Sequence, residues 1–129
     1  MTEDKFFIAL KEYVFDLFKN NLSQDAVYHN FNHTLQVVEA SQEIAVAEKI
    51  SDADLEILLI AAWFHDTGYV KGYEKHEEES KKIAKEYLVE KGFSEDKIQK
   101  VLNVIDATVM PQVPKSILDK IICDADLFH

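Results

Sequence analysis

The chain has 129 residues, 47% of them hydrophobic, which is enough for one compact domain with a real core and too little to expect a second. Its formal net charge of −10, from 24 acidic against 14 basic side chains, argues against a general nucleic-acid-binding surface, because that needs a positive field to displace phosphate counterions. A small phosphorylated substrate stays compatible with this balance, since a bound cation can set the sign of a pocket locally.

Three glycines and two prolines punctuate the sequence, and apolar residues mostly recur three or four apart, so the prediction is an all-α domain over residues 1–129, a compact bundle of about six helices. The first helix is expected over about residues 3 to 20, burying Phe6, Leu10, Val14, Leu17 and Phe18. A second is expected from about Asn30 to Lys49, with His33, Val37, Ala40 and Ile44 along one stripe. Ser51-Asp52-Ala53-Asp54 reads as a capped start, with acids favourable at the positive end of the helix dipole. The third helix then runs through Leu55, Leu58, Leu59, Ala62 and Trp63 to His65-Asp66, with Gly68 as its breaker. Its almost wholly apolar second half belongs at the centre of the domain.

A loop through Gly72 leads to a charged helix of about residues 75 to 91, closed by Gly92, in which Glu77-Glu78-Glu79 reads as a solvated face. Ser94 caps a fifth helix of about residues 95 to 108. Pro111 and Pro114 force an extended link, and a last helix begins near Ser116 and carries Asp124-Ala125-Asp126. Cys123 cannot form an internal disulfide and, beside Ile121 and Ile122, reads as a buried, inert thiol. No apolar run approaches the roughly 20 residues of a membrane span, and the N-terminus lacks the basic flank of a secretory signal. The expectation is therefore a cytoplasmic protein without membrane association.

Four side chains that bind metals recur in order: His33, the pair His65-Asp66, and an Asp of the terminal Asp124-Ala125-Asp126. Two neutral imidazoles and two carboxylates suit a hard-to-borderline divalent cation and leave open coordination positions for water and a phosphoryl oxygen, so a metal-dependent hydrolase is the first hypothesis. Taken singly, His33 reads as an ordinary, partly buried histidine. Asp124 and Asp126 lie two apart on a helix, so both cannot face one ion, and spacing leaves the choice open.

These residues, with His29-Asn30-Phe31-Asn32-His33 before them and Ala125-Asp126-Leu127 after, resemble the HD-domain phosphohydrolase superfamily, whose signature is a His, an adjacent His-Asp pair and a distant Asp around one or two metals. The strings at 29–33 and 125–127 also resemble the catalytic domains of cyclic-nucleotide phosphodiesterases. The resemblance implies His33, His65, Asp66 and Asp126 as ligands of one or two divalent ions, Mn, Mg, Zn, Fe, Co or Ni not being distinguished. Asp66 is then also a catalytic residue, able to bridge a second ion, and Asp124 supports the site from behind. It implies His29 as proton donor to the leaving oxygen, the other reading being a structural histidine bonded to the nearby loop.

His76 admits three readings: ligand of a second metal, contact to substrate phosphate, or plain surface residue. Lys71 and Lys75 could neutralise a phosphate. Thr67-Gly68-Tyr69 stands where the phosphodiesterases continue with His-Pro-Gly, so the implied activity is the broader one, hydrolysis of nucleotides or other small phosphate mono- or diesters. Two alternatives accompany it. A nucleotide-sensing HD domain would keep the metal site without turnover. A di-iron oxygenase would need further histidines between Asp66 and Asp126, where only His76 occurs. Relatives of this kind continue past the terminal Asp, which leaves open that the chain is a fragment lacking C-terminal helices. Oligomeric state is not legible.

Overall fold

The computed structural model describes residues 5–72, 76–109 and 112–128. Six α-helices follow in order: α1 (Lys5–Asn21), α2 (Gln24–Ala47), α3 (Asp52–Phe64), α4 (His76–Glu90), α5 (Glu95–Asp106) and α6 (Ile117–Phe128), with a 3₁₀ turn, Thr67–Lys71, between α3 and α4. No strand occurs among the described residues, and the expected helical bundle is what forms. None of the helices is long and apolar enough to cross a membrane.

The helix starts are written in serine. Ser23, Ser51 and Ser94 each accept, through Oγ, the backbone N–H three residues on, at 3.4, 3.2 and 3.2 Å, and Ser116 accepts that of Asp119 at 3.1 Å. Each satisfies one of the N–H groups that a helix start leaves without an intrahelical partner. The Ser23 cap corrects the expected start of the second helix near Asn30: α2 begins at Gln24 and runs to Ala47. His29 and His33 therefore lie well inside a regular helix, one turn apart.

Helix α3 contacts all five other helices, and Ile57, Leu58 and the whole stretch Ile60–Phe64 are buried. Of the apolar residues expected along this helix, Leu58, Ala62 and Trp63 are buried, whereas Leu55 and Leu59 are only partly covered. Leu10, Val14 and Phe18 of α1 pack into the same core, and Phe6 and Leu17 lie at its edge. Tyr13, Phe64 and Tyr87 form an aromatic cluster joining α1, α3 and α4, with the Tyr13 and Tyr87 ring centres 4.4 Å apart.

The third helix ends at Phe64, before the His-Asp pair and four residues short of Gly68. The reason is local. His65 Nδ1 donates to the Ala62 carbonyl at 2.7 Å and Thr67 Oγ1 to the Phe64 carbonyl at 2.8 Å, so side chains take carbonyls that a continuing helix would have paired with backbone N–H groups. Asp66, at φ −113° and ψ 8°, has already left the helix. His65 and Asp66 are thus aimed by a turn, and the expectation that both ride on the end of the helix is corrected.

Gly68 serves close approach more than helix breaking. A β-carbon there would collide with the His76 carbonyl and come within 2.8 Å of the Ser80 backbone nitrogen. Its absence lets the first turn of α4 sit directly on the His65-Asp66 turn. Gly92 does end α4 as expected, with φ 85° and the Phe93 N–H returning to the Leu88 carbonyl. Within Glu77-Glu78-Glu79 only Glu78 is exposed and its two neighbours are half-buried, which corrects the reading of a uniformly solvated face. Cys123 is buried, donates to the Ala107 carbonyl at 3.2 Å, and has its thiol pushed up to about 11 by burial and by Asp119, Asp126 and Asp124. It is buried in the core as expected. Lys75, Pro111 and the expected starts of the first and fourth helices at residues 3 and 75 lie outside the described residues.

Candidate metal centre

Four side chains from three places in the fold meet below the C-terminal end of α3. His33 comes from α2, His65 and Asp66 from the turn after α3, and Asp126 from α6. One ligand atom from each can be chosen so that all lie within 4.8 Å of one another. His33 Nε2 is 3.0 Å from Asp126 Oδ1 and 3.5 Å from Asp66 Oδ2, while His65 Nε2 is 3.3 Å from both Asp66 Oδ2 and Asp126 Oδ1. Two atoms bound to one ion at about 2.1 Å each, at angles between octahedral and tetrahedral, lie about 3.0 to 3.4 Å apart. The observed separations fall close to that range, and a two-nitrogen, two-oxygen donor set suits a divalent cation. The residues fit such an ion.

His65 has its tautomer fixed by its surroundings. Its Nδ1 faces a carbonyl, which only accepts, so that nitrogen carries a hydrogen and Nε2 is the atom turned to the cluster. Burial by itself would lower the imidazolium's pKa, but Asp66 and Asp126 outweigh it and hold the ring well above its ordinary value. The carboxylates mirror this. Burial pushes Asp66 up, and His65 and His33 overcome both that and repulsion from Asp126, leaving it below the ordinary carboxylate range. Asp126 is likewise driven down against burial by hydrogen bonds to His33 and His65. In the metal-free protein, the two carboxylates therefore favour a proton on His65.

The turn is locked from behind. Ser80 Oγ, fully buried on α4, donates to the His65 carbonyl at 3.0 Å and accepts the Gly68 N–H at 2.7 Å. Asp126 has a different support. Its Oδ2, turned away from the imidazoles, accepts from Gln112 Nε2 at 3.2 Å. Neither Ser80 nor Gln112 was singled out by the sequence, since a serine four residues after a histidine and a glutamine between two prolines carry no spacing signal of their own.

The remaining candidates fall at graded distances. His76 begins α4 with Nε2 3.8 Å from Asp66 Oδ1 and 3.4 Å from Glu77 Oε2, and its ring stacks on Tyr69 with centres 4.0 Å apart. It is thus beside the cluster, nearer the Asp66 oxygen that the other imidazoles do not approach, and its side chain is 15% exposed. Lys71 is exposed at the end of the 3₁₀ turn. His29 is exposed one helical turn before His33. Asp124 is exposed on the other face of α6, and among the described residues no hydrogen bond ties it to the cluster.

A family model of the HD domain matches residues 30–129 of the chain. The chain belongs to the HD-domain family. No curated protein and no solved structure matches it. Members of the HD family are typically metal-dependent hydrolases, and the matched segment begins three residues before His33 and includes all four residues of the cluster.

Proposed function

We propose that this HD domain is a metal-dependent phosphohydrolase acting on small phosphate mono- or diesters, nucleotides first among them. The observation that carries the reading is the convergence of His33, His65, Asp66 and Asp126, four residues from three separate segments, at separations suited to one divalent ion. A bound cation would supply Lewis acidity, making a water acidic enough to attack phosphorus and drawing charge from a phosphoryl oxygen.

The protein's own groups do the positioning. His65 is held by the Ala62 carbonyl so that Nε2 faces inward, and Asp66 presents Oδ2 to that cluster while Oδ1 looks toward His76. That second oxygen and His76 could take a further ion, or His76 could bind substrate phosphate with Lys71 nearby on the surface. To His29, exposed one helical turn before His33, we assign the proton that the leaving oxygen, an alkoxide otherwise, needs in order to depart.

The test is a hydrolysis screen of the chelator-stripped protein against nucleoside phosphates, cyclic nucleotides and nitrophenyl phosphates, with each of Mn, Mg, Zn, Fe, Co and Ni added back. Turnover restored by one of these ions and lost in His33→Ala is the expected outcome. Turnover indifferent to chelation, or no metal uptake by the unmodified protein, would sink the reading.

A further inference from the structure

The two sides of the cluster hold their ligands by unlike means, and the Asp126 side depends on one side chain outside it. Among the described residues, the hydrogen-bond partners of Asp126 are His33 and His65, both on Oδ1, and Gln112, on Oδ2. Among the described residues no backbone donor holds this carboxylate. Gln112 is half-buried in the irregular segment 112–115 that precedes α6. Because a carboxylate can only accept, the amide atom facing it is the nitrogen.

We propose that Gln112 is a positioning residue that turns Asp126 into a one-oxygen metal ligand. The inference rests on the metal-site reading above. With Oδ2 committed to an amide N–H, Oδ1 alone points at the imidazoles, and the carboxylate neither swings out toward water nor closes both oxygens on the ion. Closing both would fill a coordination position that water or a phosphoryl oxygen has to use. A neutral donor suits the task, since a lysine there would hold the same oxygen but repel the cation. Outer partners of this kind are worth roughly 10- to 100-fold in metal affinity.

Cobalt(II) alone is the probe, because its visible absorption reports coordination number and ligand geometry without any substrate. The unmodified protein is titrated beside Gln112→Ala, Gln112→Met, which keeps length but cannot donate, and Val113→Ala, an exposed neighbour serving as loop control. Both Gln112 variants should lose affinity by roughly 10- to 100-fold, alter the absorption of the saturated protein, and keep the cobalt stoichiometry and the melting temperature of the metal-free form. Val113→Ala should match the unmodified protein. Unchanged affinity and absorption in Gln112→Met overturns the role of Gln112 while leaving the metal site standing. Weaker binding with a lowered metal-free melting temperature and an unchanged saturated spectrum also overturns it, by showing a structural loop residue. Failure of the unmodified protein to take up cobalt overturns the metal site and this inference together.

Discussion

The wall of the cluster formed by α3, the 3₁₀ turn and α4 differs from the wall formed by α2 and α6. On the first, His65 is 1% exposed, its ring is anchored on the Ala62 carbonyl, and its own carbonyl and the Gly68 N–H are both bonded to the buried Ser80 hydroxyl. On the second, the side chains of His33 and Asp126 are 26% and 20% exposed, and among the described residues the hydrogen bonds of Asp126 run through side chains alone. Buried backbone groups must be paired or they cost stability, so the first wall is bound up with folding. The second lies nearer solvent and is held by side-chain hydrogen bonds, that of Gln112 among them.

Removing a ligand from the rigid wall tests this most severely. His65→Ala or Asp66→Ala should abolish metal uptake and metal-dependent phosphoester hydrolysis while circular dichroism stays helical, because the core is carried by residues such as Leu58, Ile60 and Trp63. Full, metal-requiring activity in either variant would contradict that residue's place in the site.

His29→Ala, on the open wall, should slow substrates with alkoxide leaving groups by about 10²- to 10⁴-fold and an activated nitrophenyl ester far less, with metal content unchanged. Equal losses on both substrates, or lost metal, would make His29 structural or ligating.

Stability should separate the walls again. Gly68→Ala forces a methyl group against the His76 carbonyl, and should cost about 1–3 kcal/mol in urea unfolding of the metal-free protein, as overpacking does. Ser80→Ala strands the buried Gly68 N–H and should cost about 1–3 kcal/mol. Asp124→Ala, on the exposed face of α6, should stay within about 0.5 kcal/mol of the unmodified protein. If Ser80→Ala proves as silent as Asp124→Ala, the distinction between locked and open walls fails.

The gentlest probe is pH. His65 binds its proton more tightly folded than at its ordinary value of 6.5, so the stability it confers is complete below that pH and is lost as pH rises through the raised folded value. Asp66 and Asp126 act oppositely: their contribution is complete above the ordinary 3.8 and is lost as pH falls through their lowered folded values. Metal-free protein should therefore unfold at lower urea at about pH 8.5 than at about pH 5.5, and a saturating divalent ion should narrow that gap by replacing the proton. An equal gap with and without metal would mean that the ion binds elsewhere.

Much of this molecule was legible in its sequence. Apolar spacing gave a helical bundle, and Ser51, Ser94 and Ser116 marked three helix starts because capping is a contact between residues three apart, visible in one dimension. The ordered His33, His65-Asp66 and a terminal Asp pointed to the cluster, with Asp126 implied over Asp124 by the family resemblance alone, since few residue types can hold a cation and their order is visible in the sequence. Ser23 carries no comparable signal, because the polar stretch before it resembles any loop, and α2 starts six residues before the predicted Asn30. What tertiary structure decided is everything that depends on approach between distant segments. It turned Asp126 rather than Asp124 inward, left the α3 helix at Phe64 so that a turn aims His65 and Asp66, and required Gly68 to have no side chain because α4 lies against it. It also brought Gln112 to Asp126 and Ser80 to His65. A hydrogen bond needs its partners aligned within about 3 Å, and no local pattern records which loop will fold back to that distance.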